Sequence, residues 1–464
     1  MRRVPTIVLF ALAAMAVWVA VVFAHRQDSA SEVAIYDSNP AHLWNRLHAT
    51  FFIREDVPST RLVPDALDPP LWFNTRYLLA EPSHRRAMRI LDEFLGTHAE
   101  NQIRDPLKRA ILQRDLWAVF DWSVEREPDH VGDPAYDREK RELQARLAEV
   151  MRRVALAPEA IQELPNNYNQ AVASGAFATQ YDPAHRERAF LPPDLFDPHG
   201  PWVELQGPGD PEPVAEEHFR YFSGRSSFLI FVRLPGGRKA AFDYLQTLWN
   251  FPNATVPSPN YAPGSNVAPS PDLPQLPVGT QFALVRQMTL IDNQGRLVYT
   301  PITESVQIRV YRDVAGPIEP PPSGPYDSYD YAHALSGQDF YQIALSRPQL
   351  FSNKAGGLRA FGANDREFFI FNSRGPDEGT PAQYLSLDKY PPVVKECVEC
   401  HFHNGAKGIN SVNSRLRLLK PHQLQRDQAS DAGIPFWWQD PRTIVWKHTQ
   451  DNWTLLNQYW KAAR

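Results

Sequence analysis

Apolar positions between Ala34 and Tyr181 recur at three- and four-residue intervals, the spacing of helices that each bury one face. Ser83 can cap a segment in which Ala87, Ile90, Leu91, Phe94 and Leu95 share a face, with Gly96 after the last of them. Asp105-Pro106 puts a capping carboxylate before a proline at the first helical position. Leu107, Ile111, Leu112, Leu116, Trp117, Val119 and Phe120 then cover much of the circumference of the helix they predict, which places it at the centre of its bundle. A third helix, from about Arg138 to Ala155, carries Leu143, Leu147, Val150 and Val154 on one stripe. Its arginines and glutamates read as a solvated face.

After the proline-rich stretch from Leu191 to Gly209 the period falls to two. Phe228 to Leu234 reads as a strand ending in the turn Pro235-Gly236-Gly237. Phe282 to Ile291 and Arg296 to Thr300 flank Asp292-Asn293-Gln294-Gly295, a hairpin loop with glycine where a positive φ is needed. Val306, Ile308 and Val310 alternate with Gln307, Arg309 and Tyr311, as in a half-buried strand. Residues 252–279, rich in Pro, Ser and Asn, read as a long loop or a polyproline-like excursion. Beyond a second spacer at 316–325, Phe340 to Leu345 reads as helix and Glu367 to Phe371 as strand. Trp446, Thr449, Trp453, Leu456 and Trp460 fall at helical spacing near the C-terminus, an aromatic stripe that suits a core and would also cover a macrocycle. The expected architecture is α+β and multidomain. It comprises residues 1–30 as signal peptide or anchor, a helical domain at 31–205, a β-rich domain at 206–330, and a mainly helical C-terminal region at 331–464 that holds both cysteines of the chain.

Composition narrows the function. At 464 residues the chain exceeds one ordinary core, and its 43 prolines are nearly twice the usual share of ~5%. A net charge of −5 has the wrong sign for a nucleic-acid footprint. Arg2-Arg3 followed by the uncharged run Ile7 to Ala24 is an export signal. Cleaved after Val22-Phe23-Ala24 it releases the chain to the periplasm or beyond. Uncleaved, residues 7–24 anchor it in the inner membrane, with the rest outside the cytoplasm. Only two cysteines are present, which excludes a disulfide-dense scaffold and any site needing four thiolates.

Both cysteines lie in Lys395-Glu396-Cys397-Val398-Glu399-Cys400-His401, a C-x-x-C-H spacing that reads as covalent haem attachment. Two thiols three positions apart can add to the two vinyl groups on one porphyrin edge, while the adjacent imidazole reaches the iron. In these five residues the chain resembles c-type cytochromes, and as a whole it looks like a large extracytoplasmic cytochrome c-like protein. The resemblance implies one covalent haem c, with Cys397 and Cys400 as thioether attachments and His401 as proximal iron ligand. A local disulfide between the cysteines, a redox-active dithiol, or zinc held by Cys397, Cys400, His401 and His403 are the other readings of the same residues.

The distal position departs from the commonest cytochrome c pattern. Met1, Met15, Met88, Met151 and Met288 all precede the motif. His403 is tethered to the proximal face, so His422 and His448 are the distal candidates, with Met288 a more remote one and an open iron the further alternative. Six-coordinate iron favours electron transfer to a redox partner protein. An open face favours a small-molecule ligand or peroxidase-like oxidoreductase chemistry. Asn253-Ala254-Thr255 and Asn452-Trp453-Thr454 match glycosylation acceptors, and the glycine-rich Gly356 to Gly362 reads as a loop.

Overall fold

A computed structural model describes residues 34–52, 81–125, 134–205, 218, 222–252, 255–262, 265–314, 337–361 and 442–462. The chain enters as a short irregular segment leading to α1 (Leu43–Phe52), followed by α2 (Glu81–Gly96), α3 (Pro106–Glu125) and α4 (Pro134–Val154). The Asp105 cap is realised: its Oδ1 accepts from the backbone N–H groups of Leu107 and Lys108 at 2.8 and 3.3 Å. Helix α2 begins at Glu81, two residues ahead of the cap expected at Ser83, and α4 begins four residues before Arg138. Short helices α5 (Pro158–Gln162) and α6 (Asn167–Ala173) complete the helical part.

The β-rich part supplies β1 (Val203–Leu205), β2 (Ser226–Arg233), α7 (Gly237–Trp249), and a separate hairpin of β3 (Thr255–Ala262) and β4 (Ser265–Pro269). It continues with β5 (Gln281–Ile291), β6 (Leu297–Tyr311), β7 (Gln338–Leu345), α8 (Arg347–Phe351) and β8 (Leu358–Ala360). Six strands form one antiparallel sheet in the order β1-β2-β5-β6-β7-β8. The loop Asp292 to Gly295 closes β5 onto β6 as its sequence requires, with Gly295 at φ +84°. A Cβ there would stand 3.0 Å from the Trp460 indole, so glycine serves both the turn and the packing. Helices α9 (Arg442–His448) and α10 (Asp451–Ala462) end the described chain.

Three expectations are corrected. Phe340 to Leu345 is strand β7, not helix: its residues pair with β6 from Gln338 opposite Tyr311 to Ala344 opposite Ser305. A mostly apolar run of this length, broken only by Gln342, carries no period that separates the two, and sheet pairing decides it. Residues 252–279 contain the β3–β4 hairpin, so the stretch is not simply a loop. Strand β6 is buried on both faces, since Gln307 and Arg309 are covered as well as Val306 and Ile308.

The reason is a layered arrangement. Leu229 and Phe231 of β2 join Ala283, Val306, Ile308 and Ile343 in one buried cluster with Trp44, Phe94, Trp117, Leu147 and Tyr168 of the helices. Ile230, Val232 and Leu234, alternating along the same stretch, face the opposite way toward Ala241, Leu245 and Leu248 of α7. The helices and the sheet thus share a core across the boundary expected near residue 205. The terminal aromatic stripe joins that core: Trp453, Leu456 and Trp460 are buried, with the Trp453 ring 6.3 Å from Trp117. The stripe is carried by two helices, because α9 stops at His448 and α10 restarts at Asp451.

Candidate functional site

Cys397, Cys400, His401, His403 and His422 lie outside the described residues, as do residues 7–24 and the expected strand Glu367 to Phe371. Both flanks of the 362–441 segment are held by one body. On the N-terminal side β8 pairs with β7, from Leu358 opposite Leu345 to Ala360 opposite Ile343. The turn into β8 depends on Gly356, at φ +59°, where a Cβ would meet the Asn167 carbonyl oxygen of α6 at 2.0 Å. On the C-terminal side α9 and α10 pack against the helices.

His448 is the one distal candidate histidine among the described residues. It is exposed at the end of α9, and its ring lies 5.3 Å from that of Trp453, tilted by 31°. Partial burial lowers its pKa from the ordinary histidine value, which favours the neutral imidazole a metal requires. Neither ring nitrogen has a hydrogen-bond partner among the described residues. Met288 differs: it is fully buried in the shared core, surrounded by apolar side chains. Among the described residues no group of three or more His, Cys, Asp or Glu could hold a metal ion, and no helix is long and apolar enough to cross a membrane.

What fixes His448 is its neighbour. The Lys447 side chain is wholly buried, and its Nζ donates to Asp121 Oδ2 at 3.0 Å, the Ser223 carbonyl at 2.6 Å and Asn452 Oδ1 at 2.9 Å. The same ammonium stands 5.3 Å from the centre of the Trp117 ring. Arg225 reaches Asp121 Oδ2 at 2.9 Å. Gly224, between Ser223 and Arg225, runs against the Trp446 ring. The acceptor Asn452 is therefore enclosed in this clasp, which removes the Asn452-Trp453-Thr454 triplet as an accessible glycosylation site.

Asp121 belongs to α3, and so do two further buried charges. Arg114 Nε donates to Glu304 Oε1 at 3.0 Å, Arg286 Nε donates to Oε2 at 2.6 Å, and the Ser226 hydroxyl also donates to Oε2. Glu304 is the extra residue of a bulge in β6, between the pairs Arg286–Ser305 and Gln287–Thr303. Asp115 accepts from the Tyr36 hydroxyl at 2.6 Å and from the Arg347 guanidinium. Burial raises the Asp115 pKa, but Arg347, His48 and Tyr36 together outweigh that effect and hold the carboxyl below its ordinary range.

None of these charge clusters was singled out from sequence. The available signal was the apolar residues surrounding α3: a helix covered on most sides leaves its polar residues no solvated face. Compared with protein-family models, curated proteins and solved structures, the chain matches none of them.

Proposed function

We propose that the chain is an exported monohaem c-type electron-transfer protein, with haem attached through Cys397 and Cys400 and its iron held on the proximal side by His401. The observation that carries this reading is the C-x-x-C-H spacing of the only two cysteines in the chain. The N-terminal basic and apolar run supports it, because cytochrome c maturation takes place outside the cytoplasm. His448 is the preferred distal ligand over His422: an exposed imidazole, shifted toward its neutral form and carried beside a buried clasp, suits an axial nitrogen. Bound in this way, the haem supplies a one-electron iron couple. The α+β body then serves as a mount that holds both flanks of residues 362–441 and leaves a large surface for a redox partner protein.

The test is expression with a cytochrome c maturation system, followed by denaturation and a haem stain of the polypeptide. Retained haem is expected, and a His448→Ala variant is expected to turn a low-spin spectrum high-spin while keeping the haem attached. An unchanged low-spin spectrum removes His448 as ligand. A wild type that is already high-spin redirects the reading to ligand binding or peroxidase-like chemistry at an open iron.

A further inference from the structure

Residues 35–52 form a strap across the helices, and the strap folds on itself through Asn45. Asn45 Oδ1 accepts from the backbone N–H groups of Ile35, Tyr36 and Asp37 at 3.1, 2.7 and 3.3 Å. Its amide nitrogen donates to the carbonyls of Asp37 and Asn39 at 2.7 and 2.8 Å. Two polar contacts tie this unit to α3. The Tyr36 hydroxyl donates to Asp115 Oδ2 at 2.6 Å, and Lys108 Nζ donates to the Tyr36 carbonyl at 2.6 Å.

His48, on α1, is buried against the first of these contacts. Its ring lies 4.7 Å from that of Phe52 and 6.0 Å from that of Tyr36. Nδ1 stands 3.4 Å from Asp115 Oδ2, without the alignment of a hydrogen bond, and neither ring nitrogen has a hydrogen-bond partner among the described residues. Among the described residues, the charged or titratable groups facing the imidazole are Asp115 from α3, Tyr36 from the strap, and Arg347 from α8. Helix α2, which also packs on α1, contributes Glu93 at the exposed side, where Arg46 engages it at 2.8 Å. A neutral imidazole fits the site as an apolar ring. A charged one has two N–H groups to satisfy and a single carboxylate oxygen within reach, already accepting from Tyr36.

We propose that His48 is a proton-operated release for the strap: a proton on the imidazole makes it compete with the Tyr36 hydroxyl for Asp115 Oδ2, leaves a charged Nε2–H enclosed without an acceptor, and frees residues 35–52 from α3. The direction follows from burial, which lowers the His48 pKa below the ordinary value, with Asp115 opposing and Arg347 adding to the effect. The open strap then binds the proton more tightly than the closed one. Closure is at full strength above about pH 6.5, the ordinary histidine value, and weakens as pH falls below it.

Hydrogen–deuterium exchange of the full chain, read by mass spectrometry and corrected for the intrinsic pH dependence of amide exchange, tests this. Protection of peptides within 35–52 is expected to fall by up to about tenfold per pH unit below about pH 6.5, the slope of a single proton. Peptides from β5 and β6 should keep theirs. His48→Phe and His48→Leu, which fill the site and cannot take a proton, should flatten the strap's pH profile. Wild-type strap protection that tracks the β5–β6 hairpin across the range overturns the proposal, as does an undiminished fall in either folded variant. Should both variants fail to fold, the wild-type comparison of strap and hairpin decides alone.

Discussion

Two aspartates on α3, six positions apart, meet basic side chains from far down the chain, one beside an ammonium with three acceptors and the other beside an imidazole with none among the described residues. At Asp121 the buried Lys447 ammonium has three oxygen acceptors, one for each N–H, and Arg225 reaches the same carboxylate. At Asp115, Arg347 and Tyr36 satisfy the carboxylate, while His48 beside it has both ring nitrogens unpaired among the described residues. Desolvation is a cost common to both sites, and at Asp121 it is offset only in part: Oδ2 takes the contacts from Lys447 and Arg225, while Oδ1 has no hydrogen-bond partner among the described residues. The first site fastens the C-terminal helices through the Lys447 ammonium. The second holds as long as its histidine stays neutral.

The contrast can be broken most strongly at the clasp. Lys447→Met leaves Asp121 buried with Arg225 alone and opens a gap at Ser223, so a loss of about 3–5 kcal/mol is expected in urea denaturation. Exchange protection in α9 and α10 should fall first. A smaller effect is expected at the other aspartate. His48→Phe removes two unsatisfied nitrogens from an aromatic site, so stability at pH 7.5 should change by no more than about 1 kcal/mol. Below about pH 6 the variant should be more stable than the wild type, because it has no proton to refuse. The smallest effect belongs to a surface pair. Arg46 and Glu93 meet through two 2.8 Å contacts but are each about 40% exposed, so Arg46→Ala should cost less than about 1 kcal/mol, shrinking with added salt.

The helices and the main hairpin were legible because their signals are local. Asp105-Pro106 fixes a helix start, and Gly295 closes a four-residue loop, whatever lies elsewhere. Strand β7 was not legible, since Phe340 to Leu345 is too short and too nearly apolar, with Gln342 its one polar residue, to show a period, and becomes strand only by pairing with β6. The break at Thr449-Gln450 escaped for the opposite reason: Trp446, Trp453 and Trp460 keep helical spacing across it. The charge clusters were hidden because burial of Arg114, Asp115 and Asp121 depends on hydrogen-bond partners 79 to 326 residues away, from Tyr36 with Asp115 to Lys447 with Asp121. The haem motif was read entirely from five consecutive residues, with no help from packing.

That reading is the central claim, and intact mass of the denatured protein tests it most directly. Matured with a cytochrome c biogenesis system, the wild-type chain should carry the added mass of one haem. Cys397→Ser and Cys400→Ser should each retain less of it, through a single thioether, and the double variant none. A wild-type polypeptide at its bare mass, or a double variant that still carries haem covalently, would contradict the account.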